Sequence, residues 1–294
     1  KERLTRNSNG TKVSDPNKLK YCLIGDPAMA IPLPSHDIVV ESINGEPVGD
    51  NSQAVLPANS VVTISGAIYR PDGEAATDFN GVICYEVYDA ETVGTSVETI
   101  GSSSLEMNFN TRSYKLAFAA DTVVNGRFEA TFRLPAQCLQ SDGTGLISLY
   151  AYSNDMSVEA KGYNEDFVIN GMDTAAPDET APVIDNVWVD TPSFSEGDAV
   201  PSSTVFHCDV SDEESGIAVD ELSVGKTAVL WLDGNVLSSE LAGQYSPALG
   251  FGRGSIEYAL SNLSVGNHTL TLRVFDNAGN SAERSVSFVV ESAV

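Results

Sequence analysis

The feature that most constrains this chain is a strict alternation of apolar and polar residues. In GRFEATFRL (126–134), Phe128, Ala130, Phe132 and Leu134 fall on one face, and Arg127, Glu129, Thr131 and Arg133 on the other. A period of two with one apolar face marks a strand buried on one side. The pattern returns in HTLTLRVFD (268–276), where Leu270, Leu272 and Val274 oppose Thr269, Thr271 and Arg273. Shorter runs of the same kind lie at 38–43, 60–69, 82–89, 114–119 and 146–153, and a further run ends in DFVI at Ile169. Turn pairs such as Asn44-Gly45, Asn125-Gly126 and Asn170-Gly171 separate them. A second series occupies 183–189, 204–210, 228–233, 255–260, 268–276 and 283–290. No segment sustains a helical period. The pattern predicts an all-β protein with two tandem β-sandwich domains, 36–171 and 182–292. The second reads as immunoglobulin-like, since about seven short strands fill about 110 residues. The small, acidic stretch MDTAAPDETA (172–181) reads as a linker between them.

Charge narrows the partners. The chain of 294 residues carries 16 Lys and Arg against 41 Asp and Glu, a formal net charge of -25. That balance argues against nucleic acid, whose phosphates need basic residues to neutralise them. It suits a self-repelling surface and acidic loops able to hold Ca²⁺. No apolar run approaches the ~18 residues of a membrane helix, so no membrane insertion is expected from this segment. No signal peptide is visible, and the leader of an exported protein would lie upstream. Residues 1–34 hold six basic and three acidic residues, while the remaining 260 hold 10 and 38. This shift marks a boundary near Pro32 and Pro34.

Few residues carry catalytic signals. Cys22, Cys84, Cys138 and Cys208 form no Cys-x-x-Cys, which argues against zinc, and they read as free thiols. His36, His207 and His268 are framed by no Ser/His/Asp or Cys/His motif. The densest acidic loops are CDVSDEESGI (208–217) and VFDNAGN (274–280). In an immunoglobulin-like sandwich these two loops share a pole, where Asp209, Asp212, Glu213, Asp276 and Asn277 would supply oxygen ligands for a structural Ca²⁺. The competing reading is that Asp and Asn shape the turns by bonding their own backbone. Trp188 and Trp231 read as core residues, the commoner case in a sandwich, with a carbohydrate platform as the alternative. The long loop LAGQYSPALGFGRGS (241–255) is the place in this unit where function is most expected.

The stretch KLKYCLIGDPAMAIPLP (18–34) has an apolar run, a Gly25-Asp26-Pro27 turn, a second apolar run and a proline stop. It resembles the last strand and exit turn of the catalytic domain in gingipain-type cysteine peptidases, the C25 family, and within it the sortases of the Bacteroidetes type IX secretion system. Leu23, Gly25, Asp26, Pro27 and Ala28 match, and Ile24 and Met29 are mild departures. Later stretches match the family's β-domains in order, among them INGEPV, VVNGRFEATFRLP, DETAPVIDNVWVD and LSVGNHTLTLRVFDNAGN. The ESGI loop departs from the family's longer, histidine-bearing version.

The resemblance implies that residues 1–35 are the remnant of an upstream α/β peptidase domain, in a chain cut at both ends. It also implies that the family's catalytic Cys and His lie outside this sequence, so the segment itself is non-catalytic. The implied partners are its own upstream catalytic domain and secreted cargo or secretion-machinery proteins. The implied location is the outer-membrane surface or the extracellular space, with the periplasm in transit. Two other readings stand beside it: an independent adhesin or glycan-binding module, and a structural spacer.

Overall fold

The computed structural model describes residues 33–49, 53–100, 103–139, 141–174, 178–219, 228–239 and 241–291. The Gly25-Asp26-Pro27 turn and the YCLI run lie outside them. The first twelve strands are β1 (His36–Ile43), β2 (Glu46–Pro47), β3 (Ala54–Ala58), β4 (Val61–Tyr69), β5 (Gly81–Tyr88), β6 (Thr92–Ile100), β7 (Ser103–Thr111), β8 (Lys115–Val124), β9 (Arg127–Arg133), β10 (Leu146–Ser153), β11 (Glu159–Asn164) and β12 (Phe167–Met172). Nine follow: β13 (Val183–Val189), β14 (Ala199–Val200), β15 (Thr204–Ser211), β16 (Val229–Leu232), β17 (Asn235–Ser238), β18 (Tyr245–Pro247), β19 (Arg253–Leu260), β20 (Gly266–Phe275) and β21 (Ser281–Val290). The protein is all-β, as the alternation predicts.

The first set corrects one expectation. It is a closed barrel of seven strands in the order β11-β10-β5-β8-β9-β4-β1, with β2 appended to β1. A parallel pairing of β1 with β11, at His36 with Ala160 and Asp37 with Lys161, closes the ring. Closure leaves no free edge among those seven strands, the usual hazard of an open sheet. A barrel wall and a sandwich sheet show the same alternation, which is why the strand pattern alone does not separate them. The expected single run ending at Ile169 is also two strands, β11 in the barrel and β12 paired in parallel with β3.

The inward residues are those the period of two selects. Phe128, Ala130, Phe132 and Leu134 are at most 5% exposed. In β1 the alternation breaks: Ile38 and Val40 are buried, and so is Ile43 rather than Ser42. A register shift against β4 between Val40 and Ser42 restores the apolar face, as a bulge does by inserting one residue. Leu56, Ala58, Phe167 and Ile169 of the β3–β12 pair join the same core. The β6–β7 hairpin pairs only with itself and exposes Val93, Val97, Met107 and Phe109.

The second set forms two packed sheets, β13-β15-β19-β18 and β14-β21-β20-β16-β17. Phe206, Cys208 and Val210 of the first face Leu230, Leu270, Leu272, Val274 and Phe288 of the second in a separate core. The arrangement is consistent with an immunoglobulin-like sandwich.

Barrel and sandwich belong to one compact unit, Pro34–Val294. The glycine-rich loop forecast as functional is what joins them. Leu249 forms an isolated parallel bridge with Ala120 of β8, and the Gly250 N–H donates to the Ala120 carbonyl at 2.8 Å. Phe251 packs against the barrel core, and Phe118 of the barrel packs against the sandwich core. The Phe118 and Tyr245 rings meet edge to face at 6.1 Å. Gly252 has φ +73°, and a Cβ there would sit 1.7 Å from the Asp212 carbonyl oxygen. Only glycine fits that position without moving backbone.

His268 ties the start of β20 to the turn before β17 and to the loop before β20. Its Nε2 lies 2.8 Å from the Ser264 carbonyl and its Nδ1 2.7 Å from an Asp233 carboxylate oxygen. The Asp233 carboxylate and the Ser264 carbonyl can only accept, so both favour the protonated ring, while the Ser264 hydroxyl lies 3.3 Å from Nε2. The Ser264 carbonyl, followed by Asp233, raises its pKa above the ordinary 6.5, against the effect of burial.

Two outcomes follow from this packing. The stability that His268 contributes is full below about pH 6.5 and is lost as pH rises through its raised pKa. The unfolding temperature is expected to fall across neutral to mildly alkaline pH, and His268→Gln to flatten that decline, as a series of thermal melts would read. Gly252→Ala is expected to destabilise the protein by more than about 1 kcal/mol in urea titration, because the added carbon meets backbone rather than a flexible side chain.

Candidate functional site

Two of the five residues expected at the sandwich pole meet, and a third joins them from the stretch read as a linker. Asp178, Asp212 and Asp276 are all buried and bring one carboxylate oxygen each to within 4.8 Å of one another. They come from three places: the connection after β12, the loop after β15 and the loop after β20. The last two belong to opposite sheets of the sandwich.

Local turn chemistry sets each carboxylate. Asp212 Oδ1 accepts from the Ser215 N–H at 2.8 Å, the Gly216 N–H at 3.1 Å and the Glu214 N–H at 3.2 Å. Asp276 accepts from the backbone N–H groups of Gly279 and Asn280, and from the Asn280 amide at 2.8 Å. Asp178 Oδ1 accepts from the Thr180 N–H at 2.8 Å. The Asn280 amide also donates to the Asp178 carbonyl at 3.1 Å, tying the connection to the β20–β21 turn.

The electrostatics of this arrangement are unfavourable as they stand. Among the described residues, no Lys, Arg or His forms an ion pair with any of the three. At an effective dielectric of about 20, two ionised carboxylates within ~4.8 Å repel by about 3.5 kcal/mol or more, so keeping all three ionised would cost on the order of 10 kcal/mol. Burial raises the Asp276 carboxyl, its turn donors oppose this, and the Asp212 charge adds to it. The neighbouring exposed Glu214 is also raised, chiefly by the charge of Asp178. Glu214 lines an open groove of ≈ 370 Å³ together with Glu213, Phe251, Asp121 and Arg133.

The other forecast residues take different roles. Asp209 is in the middle of β15, between the inward Cys208 and Val210, so it faces outward. There it accepts from the Asn186 amide at 2.5 Å and sits 3.2 Å from His207 Nε2. Glu213 is exposed and pairs with Arg253. Asn277 stays at the pole beside Asp276, where its amide donates to the Ser215 carbonyl at 3.0 Å and holds the two acidic loops together. Asp178 is the residue that sequence reasoning missed. It stands in the small, polar segment read as a linker, where nothing local marks it as buried.

The tryptophans correct a second expectation, since neither is a core residue. Trp188 stacks on His207 at 4.6 Å, with an 11° angle between the rings. Trp231 carries Arg273 over its face at 5.1 Å. Each sits opposite an outward partner in register, His207 and Thr271 respectively. They belong to opposite sheets and form no common platform. His36 lies at the start of β1, with its ring 6.5 Å from that of Phe79. Cys84, Cys138 and Cys208 are free thiols. Burial pushes those of Cys138 and Cys208 up to about 12, far from a reactive thiolate.

No protein-family model and no curated protein matches this chain. Among solved structures, it is similar to dimeric latent PorU from Porphyromonas gingivalis, with 25% identity and a TM-score of 0.53 over 92% of this chain. The chain spans 25% of the length of that PorU chain. Fibronectin(III)-like modules of Clostridium thermocellum CbhA match at 14% identity, over 86% of this chain and 94% of theirs, with a TM-score of 0.25. Titin immunoglobulin tandem domains A164-A165 match at 10% identity, over 88% of this chain and 98% of theirs, with a TM-score of 0.24. The last two scores are too low to carry an argument. The first shows that the chain shares its fold, at moderate identity, with one region of PorU.

Proposed function

We propose that this chain is the non-catalytic, accessory β-region of a C25-like cysteine peptidase or sortase of the PorU kind, acting in type IX secretion. The observation that carries this reading is the fold-level similarity to PorU along 92% of the chain, over stretches whose ordered sequence match is independent of any single motif. In this reading the catalytic Cys and His belong to an upstream domain. The barrel and sandwich pack beside that domain, present it at the outer-membrane surface and dock cargo or secretion-machinery proteins. The joined barrel and sandwich suit such a role, because Phe118 and Phe251 cross-pack the two cores and leave a fixed scaffold rather than two tethered beads. A glycan-binding role draws little support from Trp188 and Trp231, whose rings are covered by His207 and Arg273 on opposite sheets.

The purified chain is expected to hydrolyse no peptide, and native Cys138 and Cys208 to resist iodoacetamide at neutral pH. Excising 36–291 from the parent gene is expected to stop cargo processing and surface attachment, read by immunoblot of cell fractions. Peptidase activity that survives repurification, or undiminished cargo processing after the excision, would overturn the proposal.

A further inference from the structure

We propose that Asp178, Asp212 and Asp276 form a Ca²⁺ site that pins the connection leaving the barrel to both sheets of the sandwich. The proposal stands independently of the type IX secretion reading. Two observations carry it. The first is the meeting of three buried carboxylates from three chain segments within 4.8 Å. The second is that Asp178, only 7% exposed, turns its carboxylate into this cluster, while its Oδ2 is fully buried and has no hydrogen-bond partner. A buried carboxylate oxygen with no protein donor is costly and uncommon in a native protein. A cation among the three would satisfy it and offset the mutual repulsion of the group.

The donor set selects the ion. All three ligands are hard carboxylate oxygens, with no thiol or imidazole among them, which favours Ca²⁺ or Mg²⁺ over zinc or copper. Two oxygens each ~2.4 Å from one Ca²⁺ are at most ~4.8 Å apart, and the three carboxylate oxygens lie within that limit of one another. Mg²⁺ demands near-ideal octahedral geometry and holds its waters more tightly, which suits an all-carboxylate protein site less well. Ca²⁺ also accepts irregular coordination, so backbone carbonyls, water or the adjacent Glu214 would complete its shell. Turn donors hold the Asp212 and Asp276 carboxylates, and Asp178, with one turn donor from Thr180, reaches them from outside the sandwich sheets. The ion would therefore fix the barrel's exit relative to the sandwich, besides bonding one sheet to the other.

The test is calorimetric titration of the EDTA-stripped full chain with CaCl₂ and MgCl₂, with thermal melts in each condition. One Ca²⁺ per chain is expected, with Mg²⁺ weaker by about tenfold or more and a rise in unfolding temperature with Ca²⁺. Asp178→Asn is expected to weaken Ca²⁺ binding by about tenfold or more. In EDTA the same variant is expected to melt no lower than wild type, because it removes one of three like charges. A purely structural Asp178 would instead lower the melting temperature in EDTA too, and that result overturns the site. So does a wild-type chain that shows neither heat nor a thermal shift with Ca²⁺. Unchanged affinity in Asp178→Asn also overturns it, by placing the ion on the acidic surface. If the variant does not fold, the wild-type melts in EDTA and Ca²⁺ decide alone.

Discussion

The structure depends on how β1 is shared. One side of β1 lies antiparallel to β4 along most of its length, and its first two residues pair in parallel with β11. That short parallel contact converts a row of antiparallel strands into a closed wall and removes the two edges an open sheet would present. It also dictates where the chain goes next. Once β11 has closed the ring, β12 has no place in it and pairs with β3 instead. The chain then leaves from that pair toward Asp178, so the closure of the barrel sets the point at which the sandwich begins.

The junction between the two cores is built by reciprocal insertion. Phe118 leaves the barrel wall for the sandwich, and Phe251 leaves the sandwich for the barrel. The loop carrying Phe251 must pass close to the acidic loop at Asp212, and Gly252 makes that approach possible. The backbone of Asp212 donates to the Gly252 carbonyl at 2.8 Å. One glycine therefore couples the inter-core packing to the carboxylate cluster. A chain of net charge -25 can hold buried aspartates only where turn donors or a counter-ion compensate them, and the three aspartates sit where three segments converge.

Legibility in the sequence was uneven, for physical reasons visible in single residues. The alternation in 126–134 and 268–276 gave the inward residues correctly, because in a strand the side-chain direction is local. The same rule, applied to TVFHCDVS, places Asp209 outward beside His207, whereas Asp212 lies past the strand end, where the chain is free to turn inward. Trp188 and Trp231 follow the rule as well: each occupies an outward register position, and their large apolar rings are covered by a histidine and an arginine rather than by the core. The hairpin of β6 and β7 went unrecognised because none of the described side chains in TVGTSVETI and SSLEMNFNT is buried, so no apolar face imposes a pattern. Asp178 went unrecognised because burial of a carboxylate in a polar, proline-bearing segment has no local signature.

The sequence by itself determined that this chain is built of strands, which face of the regular strands is apolar, and that its surface is acidic. These properties rest on neighbours two residues apart. Tertiary structure alone decided that the first sheet closes at His36 and Ala160, that the glycine-rich loop bridges the two cores, and that Asp178 meets Asp212 and Asp276. Those contacts join residues far apart in the chain, and their free energy comes from closing edges and excluding water across the whole fold. No local pattern records such distances.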